Sequence, residues 1–183
     1  MIKKCCALAM IMAMPFVIGC NDEQKAQAVE PEPVAQAVQA QEEFPSFSTK
    51  DLNGNEVTNK IFEGKKLTVV NIWGTFCPPC IDEMPELGKW SKQMSKDVQL
   101  IGLVCDVKNA EDSKTINNAK KILKSANADF VNIVPDENLM EYLEEVEAVP
   151  TTIFIDSEGR ILNKKIIGAD VQGYKNFVKS YLK

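Results

Sequence analysis

The stretch that decides the fold is WGTFCPPCIDEMP, residues 73–85. It closes a run of β-favouring residues, 67–73, which predicts a central buried strand. From Cys80 the apolar residues return at helical spacing, so the motif Cys77-Pro78-Pro79-Cys80 lies where a strand gives way to a helix. A thiol at a helix N-terminus faces unpaired N–H groups and the positive end of the helix dipole, and both favour the thiolate. The placement predicts a redox pair, with Cys77 exposed and nucleophilic and Cys80 more buried and resolving.

Composition removes most competing chemistries. The chain of 183 residues has no histidine, so Ser-His-Asp and Cys-His nucleophile pairs are excluded. Arg160 is its only arginine, which excludes bidentate clamping of phosphates by arginines. With 26 acidic and 21 basic residues, the formal charge of -5 gives no electrostatic basis for binding nucleic acid. Two alternatives to redox chemistry stay open at the cysteine pair: an inert disulfide that fastens the turn, and half of a zinc site.

The remaining pattern alternates strands with helices and predicts one α/β domain with a mixed sheet. An N-terminal hairpin is expected over 44–58, turning at Asn53-Gly54, a pair that favours a type I′ turn. A helix that Pro85 should kink is expected over 80–95. Further strands are predicted at 98–104, 130–134, 151–156 and 161–167, and further helices at 112–125, 136–145 and 170–181.

The N-terminus reads as an export signal. Lys3 and Lys4 precede a short apolar segment, and the sequence Val17-Ile18-Gly19-Cys20 resembles a bacterial lipobox. We therefore predict a signal peptide at 1–19, lipidation of Cys20, and a location on the extracytoplasmic side of a membrane in the cell envelope. An uncleaved membrane anchor is the alternative. Residues 20–43 are low in complexity and predict a flexible linker, or a partly helical spacer, before a domain over 44–183.

Two motifs together carry a family resemblance. Residues 73–85 resemble the active-site signature of the thioredoxin superfamily, and more narrowly of its TlpA/ResA-like branch. Val149-Pro150-Thr151-Thr152-Ile153-Phe154-Ile155-Asp156, followed by Gly159, is similar to the second signature of that family. The resemblance implies a thioredoxin-like fold, a mixed central sheet flanked by helices, with an N-terminal β-hairpin and a strand–helix insert.

The resemblance also implies roles for matching positions. Cys77 would attack client disulfides, Cys80 would resolve the mixed disulfide, and the oxidised enzyme would hold a Cys77–Cys80 disulfide. Pro150 would follow a cis peptide bond beside the disulfide. The residues expected to contact substrate are Trp73, Phe76, Pro78, Pro79, Val149 and Pro150.

Two polar positions next to the motif are of interest. Glu83 matches an acidic residue of the TlpA/ResA-like branch, and a partly buried carboxylate there could exchange a proton with Cys80; a solvent-facing glutamate is the alternative. Asn71 stands where ordinary thioredoxins carry a buried aspartate.

Cys105 ends a strand predicted to run parallel to 67–73. It is interpreted as a buried apolar filler, with a third relay thiol as the alternative.

The function expected from the resemblance is a lipid-anchored thiol–disulfide oxidoreductase that reduces exported proteins. Apocytochrome c or a methionine sulfoxide reductase is an expected client, and a membrane thiol transporter is the expected electron donor. No cofactor, metal or nucleic acid is required, and a monomer is expected. The alternatives are an oxidant or isomerase of the same fold, and a non-catalytic module that binds metal or protein.

Overall fold

The structure is a computed structural model that describes residues 40–183. The predicted signal peptide, the lipidation of Cys20 and most of the predicted linker lie outside these residues. Strand β1 covers Ala40–Glu43, the last four residues of the stretch assigned to the linker, so the folded part includes them.

The described strands form a mixed sheet and a two-stranded hairpin, as the sequence predicts. After β1 the strands are β2 (Ser48–Lys50), β3 (Glu56–Thr58), β4 (Leu67–Trp73), β5 (Val98–Val104), β6 (Asn132–Ile133), β7 (Thr151–Asp156) and β8 (Arg160–Ile167). The sheet has the order β1-β8-β7-β4-β5-β6, and β2 pairs with β3 in the hairpin. Central β4 runs parallel to β5 and antiparallel to β7. An isolated antiparallel bridge between Asp51 and Ile133 joins the hairpin to β6.

The helices begin at the positions that the sequence marks with caps. They are α1 (Pro78–Ser91), α2 (Ser113–Ser125), α3 (Glu137–Glu144) and α4 (Val171–Tyr181). The carboxylates of Asp112, Asp136 and Asp170 accept backbone N–H groups at the starts of α2, α3 and α4. Among the helices of residues 40–183, none combines the length and the apolar composition needed to cross a bilayer.

Helix α1 stops before the predicted end at residue 95. The Ser91 hydroxyl donates to the Gly88 carbonyl oxygen at 2.9 Å, and the Gln93 N–H donates to the Trp90 carbonyl oxygen at 2.9 Å. Bonds to the carbonyl three residues back tighten the last turn and end the α-helix.

The hairpin is confirmed, but the type I′ turn is wrong. Asp51 and Asn55 close a three-residue loop, and only Gly54 has a positive φ, of 90°. The Asp51 carboxylate accepts the N–H groups of Asn53 and Asn55 at 2.8 and 2.9 Å, which holds Asn53 in ordinary backbone geometry. The result is a three-residue loop with glycine in the left-handed position.

Strand β4 divides the core into two layers, since all seven of its residues are buried. Val69 and Trp73 pack with Met84 and Leu87 of α1 on one face. Val70 and Ile72 belong to the cluster on the other face. Side chains alternate along a strand, so Asn71 shares the face of Val69 and Trp73, beneath α1. This polar residue is therefore placed under the helix that starts at the cysteine motif.

Candidate active site

The cysteine pair caps the first turn of α1. Cys77 is the N-cap residue, and its sulfur accepts the Cys80 N–H at 3.2 Å. Pro78 and Pro79 fill the first helical positions, where a missing N–H is tolerated. A disulfide joins Cys77 to Cys80, with their Cα atoms 5.3 Å apart. The sulfurs thus lie at the positive end of the helix dipole, where a thiolate released by reduction is stabilised.

Cys80 is more deeply buried than Cys77, as predicted, but Cys77 is less exposed than predicted. Cys80 is fully buried, as expected, but Cys77 is only 4% exposed, so its predicted exposure is wrong. The cover comes from the segment before β7. The Val149 carbonyl oxygen lies 3.5 Å from Cys77 Sγ, and buried Pro150 follows it. A client must approach past this segment.

The Val149–Pro150 peptide bond is cis, which is the geometry that the resemblance implies. Val149 is half-buried, and the Pro150 carbonyl oxygen accepts the Gly168 N–H at 2.8 Å. The hydroxyl of Thr151 donates to the Ala148 carbonyl oxygen at 2.7 Å. These bonds fix the segment on both sides of the proline and hold the Val149 carbonyl beside Cys77.

Trp73 is not available to a substrate, although the resemblance suggested contact. Its side chain is fully buried, and its indole Nε1 donates to Asn132 Oδ1 at 2.8 Å. It supports the end of β4 from within the core. Pro78 and Pro79 are exposed beside the cysteines, and Phe76 is 66% exposed. These three residues can meet a client.

Glu83 is buried under the cysteine pair, which excludes the solvent-facing alternative. It lies three residues after Cys80 and is 6% exposed. Asn71 Nδ2 donates to Oε1 at 2.8 Å, and the Tyr174 hydroxyl lies 3.1 Å from Oε2. Burial raises the pKa of the Glu83 carboxyl to about 7, against the opposing effect of these two donors. A carboxyl with such a pKa can hold or release a proton near neutral pH.

Asp106 belongs to the site but was missed from the sequence. Its carboxylate accepts the Thr75 N–H at 3.0 Å and the Thr75 hydroxyl at 2.6 Å. The loop between β4 and the cysteines is therefore tied to the end of β5. The sequence did contain a signal for Asp106, because this residue follows a strand whose end was predicted to lie at the same edge of the sheet as Cys77.

Tyr174 was also missed from the sequence. It lies 91 residues from Glu83, so no local pattern indicates their contact.

Cys105 lies at the same edge, half-buried, beside the loop that precedes Cys77. A Cβ added at Gly74 would come within 3.2 Å of its sulfur. Burial and the neighbouring Asp106 raise the pKa of the Cys105 thiol to about 11. At neutral pH it is therefore almost entirely protonated, which favours the filler over the relay thiol.

An open groove of about 540 Å³ adjoins the site. Its apolar lining includes Phe76, Cys105, Met140, Leu143 and Val149. Met140 is 37% exposed, so the groove presents apolar surface to solvent close to the disulfide. Exposed apolar surface of this kind is typical of sites that bind other molecules.

Comparison with known proteins gives consistent matches. The Redoxin family model matches residues 39–177. A thiol-disulfide oxidoreductase ResA from Bacillus cereus is 30% identical over 132 residues, covering 72% of this chain and 71% of the relative. ResA of Bacillus subtilis (strain 168) is 26% identical over 140 residues, covering 74% and 73% of the two chains.

Solved structures agree in fold. A thiol:disulfide interchange protein of the thioredoxin family from Chlorobium tepidum TLS superposes with a TM-score of 0.63 at 22% identity, covering 79% of this chain and 99% of that one. The exposed lipoprotein thioredoxin of Streptococcus pneumoniae strain TIGR4 has a TM-score of 0.61 at 18% identity, covering 74% and 98% of the two chains. These likenesses establish the thioredoxin-like fold.

Proposed function

The chain belongs to the Redoxin family and is a ResA-like thiol–disulfide oxidoreductase of the thioredoxin superfamily, and from this premise we propose that it reduces disulfides of exported proteins while tethered to a membrane. The observation that carries the proposal is the Cys77–Cys80 disulfide at the start of α1, with cis Pro150 beside it.

The proposed reaction is a two-step exchange. The Cys77 thiolate attacks one sulfur of the client disulfide, forms a mixed disulfide and expels the other client sulfur as a thiolate, which takes up a proton. The Cys80 thiol then loses its proton and attacks Cys77 Sγ, which releases the second client thiolate. The client gains two electrons and two protons, and the enzyme is left with the Cys77–Cys80 disulfide.

Glu83 is proposed to handle the proton of the second step. It follows Cys80 by about one helical turn, so the carboxylate lies on the same side of α1 as the resolving thiol. A pKa of about 7 lets the group accept the Cys80 proton when Cys80 attacks, and return it when the pair is reduced again. Asn71, which cannot titrate, holds Glu83 by a hydrogen bond.

The direction of electron flow is proposed from what lies between the cysteines. Pro78 and Pro79 supply no charge or N–H donor that would stabilise a Cys77 thiolate further, and a strongly stabilised thiolate is what makes an oxidant. The proposed electron donor is a membrane thiol transporter. A reductant must be re-reduced after each turnover, because one exchange leaves the Cys77–Cys80 pair oxidised.

The proposed clients are disulfide-containing exported proteins, with apocytochrome c or a methionine sulfoxide reductase as specific candidates. The open groove lined by Phe76, Met140 and Val149 supports a protein client over a small disulfide. In this proposal the backbone of Val149 pairs with an extended client segment, which the 3.5 Å distance between its carbonyl oxygen and Cys77 Sγ supports.

The proposed location follows from the N-terminal sequence alone: signal peptide 1–19, lipidated Cys20 and a linker to the domain. Metabolic labelling with a radioactive fatty acid tests it. The wild-type chain should be labelled and sediment with membranes, and Cys20→Ala should lose the label. Labelling that survives in Cys20→Ala would contradict lipidation at this residue.

The catalytic assignment is tested by trapping. In Cys80→Ser the mixed disulfide on Cys77 cannot be resolved, so client proteins should accumulate as adducts that a reductant releases. Cys77→Ser is the matched control and should trap nothing. Adducts that form through Cys105 instead would refute the assignment.

The direction is tested by the reduction potential of the Cys77/Cys80 pair in glutathione buffers. A potential of about -270 mV, that of thioredoxin, supports a reductant. A potential of about -120 mV, that of a strong oxidase, would reverse the proposed direction.

A further inference from the structure

Tyr174 is fully buried on α4, and its hydroxyl oxygen makes three hydrogen-bonding contacts. It lies 3.1 Å from Glu83 Oε2 and 2.8 Å from the Gly168 carbonyl oxygen, and it accepts the Asp170 N–H at 3.2 Å. A phenol has one hydrogen to donate, so Tyr174 can donate to Glu83 or to Gly168 but not to both. Two acceptors compete for one hydrogen.

The protonation state of Glu83 decides this competition. When Oε2 carries a proton, it donates to the Tyr174 oxygen, and the Tyr174 hydrogen is free for Gly168. When Glu83 is ionised, the hydrogen turns to the carboxylate, because a charge-assisted hydrogen bond is about twice as strong as a neutral one. Gly168 is half-exposed, so water can bond to its carbonyl oxygen in that state.

We propose that Tyr174 is a positioning residue whose hydroxyl hydrogen turns between Gly168 and Glu83 each time Glu83 gives up and regains a proton. The inference rests on the proton exchange with Cys80 proposed above and deepens it. No covalent bond to Tyr174 changes and no electron moves there. One proton passes between Cys80 and Glu83, while the Tyr174 hydrogen only changes its acceptor.

The same hydroxyl links Glu83 to the segment beside Cys77. Gly168 donates its N–H to the Pro150 carbonyl oxygen at 2.8 Å and offers its own carbonyl oxygen to Tyr174. A continuous series of hydrogen bonds therefore runs from the carboxyl of Glu83 through Tyr174 and Gly168 to the cis proline. Of these linked groups, the Tyr174 hydroxyl is the one whose hydrogen can turn from one acceptor to the other.

Other groups around Glu83 act in a fixed way. Asn71 Nδ2 of β4 donates to Glu83 Oε1 at 2.8 Å and to Thr152 Oγ1 of β7 at 3.1 Å. Burial raises the pKa of Tyr174, and a hydrogen bond from the Thr152 side chain acts against this larger effect. Glu86 of α1 and Asp170 before α4 repel the charged form and raise the pKa of Glu83. Glu86 is itself paired with Lys175 of α4 at 2.7 Å. Within residues 40–183 Glu83 has no ion pair, so hydrogen bonds are what stabilise its ionised form.

The test is Tyr174→Phe in the oxidised protein, with the Glu83 carboxyl followed by carbon-13 NMR against pH. The Glu83 signal is identified by its loss in Glu83→Gln. We expect the pKa of Glu83 to rise by about one unit, a tenfold change in its acid dissociation constant, because the charged form loses a donor. The pH profile of the resolving step should move in the same direction. The matched control, Tyr142→Phe, removes a partly buried hydroxyl on α3 and should leave both readouts unchanged.

An unchanged or lowered pKa in a folded Tyr174→Phe protein would overturn the proposal. If that variant fails to fold, incorporation of 3-fluorotyrosine at all three tyrosines gives a stronger hydrogen-bond donor without changing the fold. The pKa of Glu83 should then fall, and no change would overturn the proposal equally. The NMR titration does not depend on catalysis. A Glu83→Gln enzyme with an unaltered resolving step would instead refute the proton role of Glu83.

Discussion

Replacing Glu83 by glutamine should stabilise the oxidised protein at alkaline pH and have little effect at acid pH. Glutamine is the neutral counterpart of a protonated glutamate. Its carbonyl can accept the hydrogen bond from Asn71, and its amide N–H can donate to the Tyr174 oxygen. The variant therefore keeps the contacts of the protonated state and removes the charge.

The magnitude follows from the raised pKa. Burial moves the carboxyl of Glu83 from 4.5 to about 7, so between these pH values the folded chain binds more protons than the unfolded chain. The associated stabilisation is fully present below pH 4.5 and is lost as the pH rises to about 7. At about 1.36 kcal/mol per unit the loss is about 3 kcal/mol, and the 6% exposure of Glu83 leaves little screening by solvent.

The assay is urea unfolding of wild type and Glu83→Gln from about pH 4 to about pH 8.5. The difference in free energy of unfolding should be small at the acid end and should reach about 3 kcal/mol in favour of the variant at the alkaline end. Asp82→Asn is the matched control. This exposed carboxylate on the same helix has no ion pair or side-chain hydrogen bond among residues 40–183, so its removal should change the free energy of unfolding by less than about 1 kcal/mol across the pH range. A difference between wild type and Glu83→Gln that stays constant with pH would refute the raised pKa.

Three further predictions concern the surroundings of the disulfide. Cys105→Ser should retain full client reduction, and at pH 8 the wild-type Cys105 should react slowly with iodoacetamide, because a thiol with a pKa of about 11 is about one-thousandth ionised; fast alkylation would contradict this. Asp106→Ala should lower the free energy of unfolding by about 1–3 kcal/mol, since the N–H and hydroxyl of Thr75 lose their acceptor; an unshifted denaturation midpoint would count against the role of Asp106 in the loop. Phe76→Ala should lower kcat/KM for a protein client about tenfold and leave the rate with a small disulfide unchanged; equal losses on both would indicate damage to the pair itself.

The parts of the fold that are set by residues close together in the sequence could be predicted. Strands β4 and β5 have the predicted bounds, because each largely buried run begins after a charged residue, Lys66 or Asp97, and stops where Gly74 or Cys105-Asp106 begins a loop. The starts of α2, α3 and α4 were likewise fixed by an aspartate cap at each N-terminus. The hairpin turn was predicted wrongly, because the Asp51 side chain overrides the preference of Asn53-Gly54.

The reacting residues of the site could be predicted from the sequence, but the burial of Cys77 and Trp73 could not. The order of the cysteines and the position of Glu83 follow from spacing along one helix. The burial of Cys77 depends on Val149, 72 residues away, and the burial of Trp73 depends on Asn132, 59 residues away. Contacts of this kind are set by the packing of distant strands, and no local pattern carries them.

The register of β1 has a consequence for where a tether would meet the domain. β1 pairs with Arg160–Leu162 at the start of β8, and this part of the sheet is level with the start of β4, at the edge opposite the disulfide. In the tethered protein proposed above, the tether would join the sheet away from Cys77 and Cys80. The reactive edge would then stay free for both the client and the electron donor.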